Sequence, residues 1–231
     1  MQPKTDTTII IVGASRGLGL GLVREYLSRG WSVVATARRP DQARELMALL
    51  GQHPERLQVE RLDVTDVGSA HALAQDLADR RADLLFIVAG ASSYPAAPIH
   101  AAPAEAAAQE FLTNAYGPLT VAEALIPALD DRAPVVFMTS ILGSIANATG
   151  GMELYRATKA ALNMGAVNFS HRHADRRVVL MHPGWVKTDM GGSQAPLDVV
   201  TSVRGMADTL AKVSAGQGVT YVDYAGEKIA W

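Results

Sequence analysis

Short apolar runs rich in β-branched residues recur along the chain, and longer stretches suited to amphipathic helices separate them. Most of these runs lack a strict alternation of apolar and polar residues, which indicates strands covered on both faces. The stretches between them are long enough for crossover helices, so we expect the strands to be parallel. The predicted strands are 8–12, 32–37, 57–62, 84–88, 135–138, 178–181 and 219–222.

The intervening stretches predict helices on both faces of this sheet, which is a doubly wound α/β architecture of about seven strands. No repeat, charge block or serine-rich linker interrupts the order of the elements, so we expect a single domain spanning residues 1–231. The predicted helices are 18–28, 41–50, 67–78, 103–115, 119–129, 154–173 and 197–215.

The composition is that of a folded protein, with 48% hydrophobic residues, 19% charged residues and a net charge of −2. No basic run marks a nucleic-acid surface, and a chain without cysteine has neither disulfides nor a thiolate nucleophile. The apolar residues 9–12 are too few for a signal peptide or a membrane span. We therefore expect a cytoplasmic protein that binds neither nucleic acid nor membranes.

A glycine-rich turn follows the first predicted strand and leads directly into the first predicted helix. Glycines at such a turn let the backbone approach a pyrophosphate, whose charge then lies at the helix N-terminus. A turn without a ligand is the alternative, but the order strand, turn and helix favours a Rossmann-type dinucleotide site. The residues of the turn are Gly13, Ala14, Ser15, Arg16, Gly17, Leu18 and Gly19.

The second predicted strand is followed by arginine where NAD-binding proteins place an acidic residue against the ribose 2′-hydroxyl. Arg38 at this position favours a 2′-phosphate, and Arg16 offers a second planar donor group. NADP(H) is therefore favoured over NAD(H). The alternative is that Arg38 and Arg39 are solvated surface charges.

Tyr155 and Lys159 lie four residues apart in the predicted helix 154–173 and so share one face. A free phenol has a pKa near about 10, and a neighbouring positive charge favours its phenolate form. Ser140 follows the fifth predicted strand, at the edge of the sheet where ligands bind in such folds. The tyrosine and lysine spacing alone is weak evidence, but together with the glycine turn and Ser140 it predicts an acid-base site beside a bound cofactor.

The order of these motifs along nearly the whole chain resembles the short-chain dehydrogenase/reductase family. Residues 143–146 and 155–164 resemble more narrowly the C-factor-like subgroup of that family. The motifs that carry the resemblance are Gly13, Gly17, Gly19, Asn114, Ser140, Tyr155, Lys159, Pro183 and Gly184.

The resemblance implies hydride transfer between a nicotinamide cofactor and a small carbonyl or alcohol substrate. In this reading Ser140 orients the substrate oxygen and Tyr155 is the general acid/base. Lys159 binds the nicotinamide ribose and lowers the pKa of the tyrosine, and Asn114 supports a water and the proton relay. Asn114 could instead be a helix-interior residue bonded to a backbone carbonyl.

Further cofactor contacts follow from the same resemblance. Asp63 and Val64 match the segment beside the adenine ring, although Asp63 could equally be a turn carboxylate or the cap of the helix 67–78. The remaining positions implied to contact the cofactor are Ala89, Gly90, Pro183, Gly184, Val186 and Thr188.

The chain departs from the family pattern at two places. Ile87 and Val88 stand where the family has two asparagines, followed by the expected Ala89 and Gly90, which puts sheet stability or cofactor affinity in doubt more than chemistry. The first position of the glycine motif, often threonine, is Val12.

The six histidines lack any spacing typical of metal ligands, and we expect no metal site. Segments 91–98, 141–155 and 185–196 predict a mostly apolar substrate pocket, bordered by Trp185 and Met190 unless these side chains serve packing. Relatives commonly pair through helices corresponding to 119–129 and 154–173, so the resemblance implies a homodimer or homotetramer. A cofactor-binding regulatory or signalling protein of the C-factor type is the main alternative to an enzyme, and an epimerase or dehydratase is less favoured.

Overall fold

A computed structural model describes residues 7–77, 80–93, 98–213 and 216–231 of the chain. Its seven strands form one all-parallel sheet in the order β3-β2-β1-β4-β5-β6-β7, which confirms the predicted doubly wound, Rossmann-type fold. The strands are β1 (Thr8–Val12), β2 (Ser32–Ala37), β3 (Leu57–Arg61), β4 (Leu84–Ile87), β5 (Val135–Met138), β6 (Arg177–His182) and β7 (Gly218–Asp223).

The helices lie on both faces of the sheet because side chains alternate between the faces along each strand. Ile9 and Ile11 belong to the core cluster beneath α1 and α7, whereas Ile10 and Val12 belong to the cluster beneath α3, α5 and α6. All four side chains are almost fully buried. The helices are α1 (Gly17–Ser28), α2 (Arg44–Gln52), α3 (Val67–Asp76), α4 (Ala104–Phe111), α5 (Gly117–Leu125), α6 (Glu153–Arg172) and α7 (Val199–Val213).

The chain reverses its winding direction between β1 and β4, which are neighbours in the sheet. From β1 the chain moves outward to β2 and β3, and from β4 it moves in the other direction to β7. At such a switch point the loops at the carboxyl ends of the two strands diverge and leave a crevice that binds ligands. The fold therefore opens its site at the ends of β1, β4 and β5.

The predicted helices 103–115 and 119–129 are one continuous helical path in the structure. A π-helical segment, Leu112–Tyr116, joins α4 to α5, and the Gly117 N–H donates to the Leu112 carbonyl. Pro118 has no N–H and cannot form the regular bond to the carbonyl four residues before it. The wider turn lets the helix continue through the proline, where the sequence indicated a break.

Other helix ends differ by a few residues from the prediction. A short 3-10 turn at Pro40–Gln42 delays α2 to Arg44, and a backbone bridge between Leu197 and Val186 delays α7 to Val199. The predicted ends at residues 78 and 215 lie outside the described residues. In the described part of the chain, no helix combines the length and the apolar character needed to cross a bilayer.

Candidate active site

The glycine turn is closely packed against the ends of β1, β2 and β4. Gly13 has a positive φ of 89°, and a Cβ at this position would lie 2.9 Å from the backbone of Ala89. A Cβ on Gly19 would lie 2.1 Å from the Gly13 carbonyl oxygen. Hydrogen bonds from Gly13 N–H and Ala14 N–H to Thr36 fix the turn against β2. Only glycine fits Gly13 and Gly19 as the chain is folded.

Helix α1 begins at Gly17, which has a positive φ of 56°. Arg16, the residue before it, makes no side-chain cap, so the first N–H groups of α1 are not bonded by the capping side chain. Ser15 is exposed, and Leu18 packs against the core cluster beneath α1. The turn thus presents backbone donors to the crevice, which is the arrangement that binds pyrophosphate.

The two arginines expected to contact a 2′-phosphate are both exposed. The Arg16 guanidinium is hydrogen-bonded to the Asp189 carboxylate, across the mouth of the crevice. Arg38 forms no hydrogen bond or ion pair within the described residues, although its charge acts on Asp63. Arg39 contacts the Gln42 side chain at 3.5 Å.

Asp63 closes a turn after β3. Its Oδ1 accepts hydrogen bonds from the Thr65 N–H at 3.0 Å and the Thr65 hydroxyl at 2.8 Å. Burial raises the pKa of Asp63, but these bonds and the charges of Arg38 and Arg61 outweigh it, so the pKa lies below its ordinary value. The helix cap of α3 is Asp66, whose side chain accepts from the Gly68 N–H. The backbone of Val64 packs against Gly117, where a Cβ would lie 2.3 Å from the Val64 oxygen.

Tyr155 and Lys159 share one face of α6, and the Lys159 Nζ lies 5.8 Å from the centre of the Tyr155 ring. The lysine side chain is buried, and its Nζ donates to the Met138 carbonyl at 3.0 Å. Ser140, which is also buried, begins the loop after β5, and its Oγ accepts from the Leu142 N–H at 3.2 Å. The structure therefore brings the three residues together at the carboxyl end of β5.

The surroundings of this pair shift both pKa values. The pKa of Tyr155 is raised to about 12, mainly by burial and also by the charge of Glu110, while the hydrogen bond to the Ser140 hydroxyl opposes the rise. Burial lowers the pKa of Lys159 to about 8, and the charge of Glu110 opposes this effect. Without cofactor, the tyrosine is a phenol at neutral pH, while the lysine is an ammonium that loses its proton as the pH rises through about 8.

Asn114 lies in the π-helical segment and is fully buried. Its Oδ1 accepts from the Ala91 N–H and its Nδ2 donates to the Ala91 carbonyl, each at 2.7 Å. The Nδ2 also donates to the Thr158 hydroxyl at 3.0 Å. Asn114 therefore ties the segment after β4 to α6, next to Lys159.

Gly90 lies against both the asparagine and the lysine, and Ala89 precedes it. A Cβ on Gly90 would lie 3.4 Å from the Asn114 Oδ1 and 3.4 Å from the Lys159 Nζ. The family asparagines are missing at the end of β4, and Asn114 of the π-helical segment anchors the residues that follow this strand.

The loop after β6 folds back toward the glycine turn. Gly184 has a φ of 82°, and a Cβ there would lie 2.4 Å from the Leu197 side chain. The preceding residue, Pro183, accepts a hydrogen bond from Ser202 through its carbonyl, and Val186 is buried. The Thr188 side chain lies 3.6 Å from the Cβ position of Gly17. The loop thus contacts α7 through Pro183 and approaches the start of α1 through Thr188.

Two residues near the site were not predicted from the sequence. Asn163 Oδ1 accepts from the Thr139 hydroxyl at 2.6 Å, and its Nδ2 donates to the Gly143 carbonyl at 3.3 Å, so it braces both sides of Ser140. Its position four residues after Lys159 could have indicated this.

Glu110 lies one turn before Asn114 and is 1% exposed. An acid four residues before a predicted site asparagine is the only sequence signal for it.

The outer wall of the site carries exposed apolar side chains. Trp185 and Met190 are more than half exposed, and the Trp185 Nε1 donates to the Gly191 carbonyl at 2.8 Å. Ile141 and Ile145 follow Ser140 and are also exposed. Residues 94–97 of the predicted pocket lie outside the described residues. In the described ranges, no group of three or more histidine, aspartate or glutamate side chains is placed to hold a metal ion.

Comparison with known proteins agrees with this geometry. The family model described as short chain dehydrogenase matches residues 7–197. The C-signal protein of Myxococcus xanthus is 42% identical over 129 residues, covering 54% of this chain and 78% of that protein.

Two solved structures are similar over nearly the whole chain. One is a protein of Burkholderia multivorans that is assigned as a short-chain dehydrogenase/reductase and has bound NADP. It is 39% identical to this chain, with a TM-score of 0.93, and the match covers 97% of this chain and 99% of that chain. The other is a carbonyl reductase of Pseudomonas aeruginosa PAO1 in complex with NADP, 37% identical with a TM-score of 0.90, covering 97% and 99%.

The chain belongs to the short-chain dehydrogenase/reductase family. The match to C-signal also confirms the predicted resemblance to the C-factor-like subgroup.

Proposed function

We propose that this protein is an NADP(H)-dependent oxidoreductase that transfers hydride between nicotinamide and a small carbonyl or alcohol substrate. The observation that carries the proposal is the convergence of Ser140, Tyr155 and Lys159 beside the glycine turn. The oxidoreductases among its relatives, including the NADP-bound carbonyl reductase, support the same chemistry.

The residues of the crevice fit a dinucleotide. The missing Cβ atoms of Gly13 and Gly19 leave the backbone close to the strand ends, and the uncapped N–H groups of α1 suit a pyrophosphate. Arg16 and Arg38 would hold a 2′-phosphate, and Asp63 and Val64 would border the adenine. Gly90, Pro183, Gly184, Val186 and Thr188 would border the nicotinamide end.

The cofactor supplies or accepts a hydride at nicotinamide C4 when bound. In the reducing direction, the Ser140 and Tyr155 hydroxyls donate hydrogen bonds to the substrate carbonyl oxygen, and the tyrosine then gives that oxygen its proton. The Lys159 ammonium stabilises the phenolate that remains. Ser140 is buried and Tyr155 is half-buried, so these fixed donors would stabilise developing negative charge more strongly than water does. Asn114 keeps the segment beside the lysine in place.

The test is to titrate the protein with NADPH and NADH, followed by fluorescence, and to measure turnover on a panel of ketones and aldehydes. Removing one charge-assisted contact costs roughly 1.5 to 3 kcal/mol, so Arg38→Gln should weaken NADPH binding about tenfold or more while NADH binding changes little. Arg39→Gln, at the neighbouring exposed arginine, is the matched control and should leave both affinities unchanged. Equal losses for both nucleotides would contradict a 2′-phosphate role for Arg38.

A cofactor-binding signalling function remains the second candidate because C-signal is 42% identical over the matched residues. The complete set of Ser140, Tyr155 and Lys159 favours turnover. Binding of NADPH without turnover of any substrate in the panel would move the proposal to the signalling function.

We also propose that the protein is a homodimer or homotetramer. Phe111, Leu112 and Tyr116 on the α4–α5 path and Met164 on α6 are large apolar side chains exposed by 37% to 64%. Exposed apolar clusters of this kind mark protein interfaces.

Light scattering should therefore give at least twice the 24.5 kDa mass of the chain. Met164→Lys should shift the equilibrium toward monomer, because an ammonium at an apolar interface is costly to desolvate. Met47→Lys, at an exposed methionine of α2, is the control and should leave the mass unchanged. A monomeric wild-type protein would exclude the interface.

A further inference from the structure

The C-terminal end of α4 buries a charged residue and exposes apolar ones. Phe111 at the end of α4 and Leu112 directly after it are large apolar residues exposed by 47% and 37%, whereas Glu110 beside them is 1% exposed. A carboxylate is costly to bury unless charges or hydrogen bonds compensate for the lost hydration. The interior position of Glu110 therefore requires a compensating group nearby.

One compensation is a hydrogen bond to the segment after β4. The Ser93 N–H donates to Glu110 Oε2 at 2.7 Å. One turn further along the same helical path, Asn114 pairs with both backbone groups of Ala91. The path thus holds residues 90–93 at two points, and this segment contains Gly90, which lies against the Lys159 ammonium.

The hydrogen bond leaves half of the carboxylate without a local partner. Glu110 Oε1 is buried, and no donor among the described residues bonds to it. The remaining compensation is electrostatic, because the charge of Glu110 favours the ammonium form of Lys159. It raises the pKa of Lys159 against the effect of burial, and it also raises the pKa of Tyr155.

Few other groups act on this pair. Tyr221 of β7 raises the pKa of Tyr155, and the Ser140 hydroxyl from the loop after β5 lowers it. For Lys159, Glu110 is the one charged group that acts from the described residues of the chain. Glu110 is thus a buried charge that acts on the buried lysine and is the candidate counter-ion of Lys159.

We propose that Glu110 is a positioning residue that fixes the segment after β4 and supplies the negative charge that keeps Lys159 an ammonium and Tyr155 a phenol. These are the protonation states that carbonyl reduction uses, so the inference rests on the proposed function and deepens it.

Two variants separate its charge from its hydrogen bond. Glu110→Gln keeps an oxygen that accepts from the Ser93 N–H and removes the charge. Glu110→Asp keeps the charge on a shorter side chain. Glu105→Gln is the matched control, because Glu105 lies on the same helix, carries the same charge and is exposed.

The direct readout is the titration of Lys159, followed by NMR of protein labelled with carbon-13 at lysine. Lysine stands only at positions 4, 159, 187, 212 and 228, so a Lys159→Arg variant identifies the signal. The wild-type signal should titrate near pH 8. In Glu110→Gln it should titrate lower by about half a pH unit or more, because a nearby opposite charge has been lost. In Glu110→Asp and Glu105→Gln, the Lys159 signal should titrate closer to the wild-type pH than it does in Glu110→Gln.

The second readout is the pH profile of kcat/KM for reduction. Glu110→Gln should move its basic limb to lower pH by a similar amount, since both pKa values fall together. NADPH affinity at neutral pH should stay within about threefold. An unchanged Lys159 titration and pH profile in a folded Glu110→Gln variant would overturn the inference and leave Glu110 a purely structural residue. If the proposed function itself fails, the wild-type protein has no turnover. The titration of Lys159 still tests whether Glu110 is its counter-ion.

Discussion

Tyr155→Phe should lower kcat for carbonyl reduction by about two to four orders of magnitude, the usual contribution of a positioned general acid. The phenol is the only group of the pair able to give a proton to the substrate oxygen while Lys159 keeps its charge. Removing a single oxygen leaves the packing of the ring intact, so affinity for NADPH should change little. Steady-state kinetics and fluorescence titration on the same preparation measure both quantities.

Tyr116→Phe is the control for this experiment, because Tyr116 is an exposed tyrosine on the neighbouring helical path. It should leave kcat unchanged. A Tyr155→Phe variant that kept its turnover would remove the acid-base role. If turnover were lost but the biological activity of the protein persisted, the signalling function would be favoured over the enzyme.

Gly19→Ala should weaken NADPH binding at least about tenfold and lower the free energy of unfolding by about 1 to 3 kcal/mol, the usual cost of overpacking. The added methyl group would lie 2.1 Å from the Gly13 carbonyl oxygen and 2.9 Å from the Ala14 Cα. Both are backbone atoms of the glycine turn and cannot rotate away, so α1 has to move off β1. Urea unfolding and NADPH titration report the two effects.

Gly51→Ala provides the matched control. Gly51 is a helical glycine of α2 with no heavy atom within 4 Å of the Cβ position. Alanine there should stabilise the protein slightly, by up to about 1 kcal/mol, since it favours the helix. A Gly19→Ala variant that bound NADPH like the wild type would show that the turn does not approach the cofactor.

The sheet could be predicted from the sequence because buried parallel strands are nearly continuous apolar runs, and all seven strands end within one residue of their predicted bounds. The glycine turn was equally visible, because glycines between a strand and a helix are a local sequence pattern, and the structure requires glycine at positions 13 and 19. The convergence of Ser140, Tyr155 and Lys159 followed from the parallel topology, which brings strand ends to one edge.

The environment of the pair was not predictable in the same way. The apolar pattern of the chain did not indicate that Glu110 is buried while the neighbouring Phe111 and Leu112 are exposed, because tertiary contacts decide which of these side chains faces the interior. The turn role of Asp63 remained open until its hydrogen bonds to Thr65 and the capping role of Asp66 were seen. Such features depend on neighbours distant in sequence, which a local pattern does not contain.

The π-helical segment lets the helical path take in one extra residue without changing the face that each flanking helix presents. Deleting one residue within 112–116 should therefore leave a regular α-helix in which Glu110 keeps its interior position. A relative that is one residue shorter here should be aligned with the gap inside this turn, so that the residue on the face of Glu110 is the one compared.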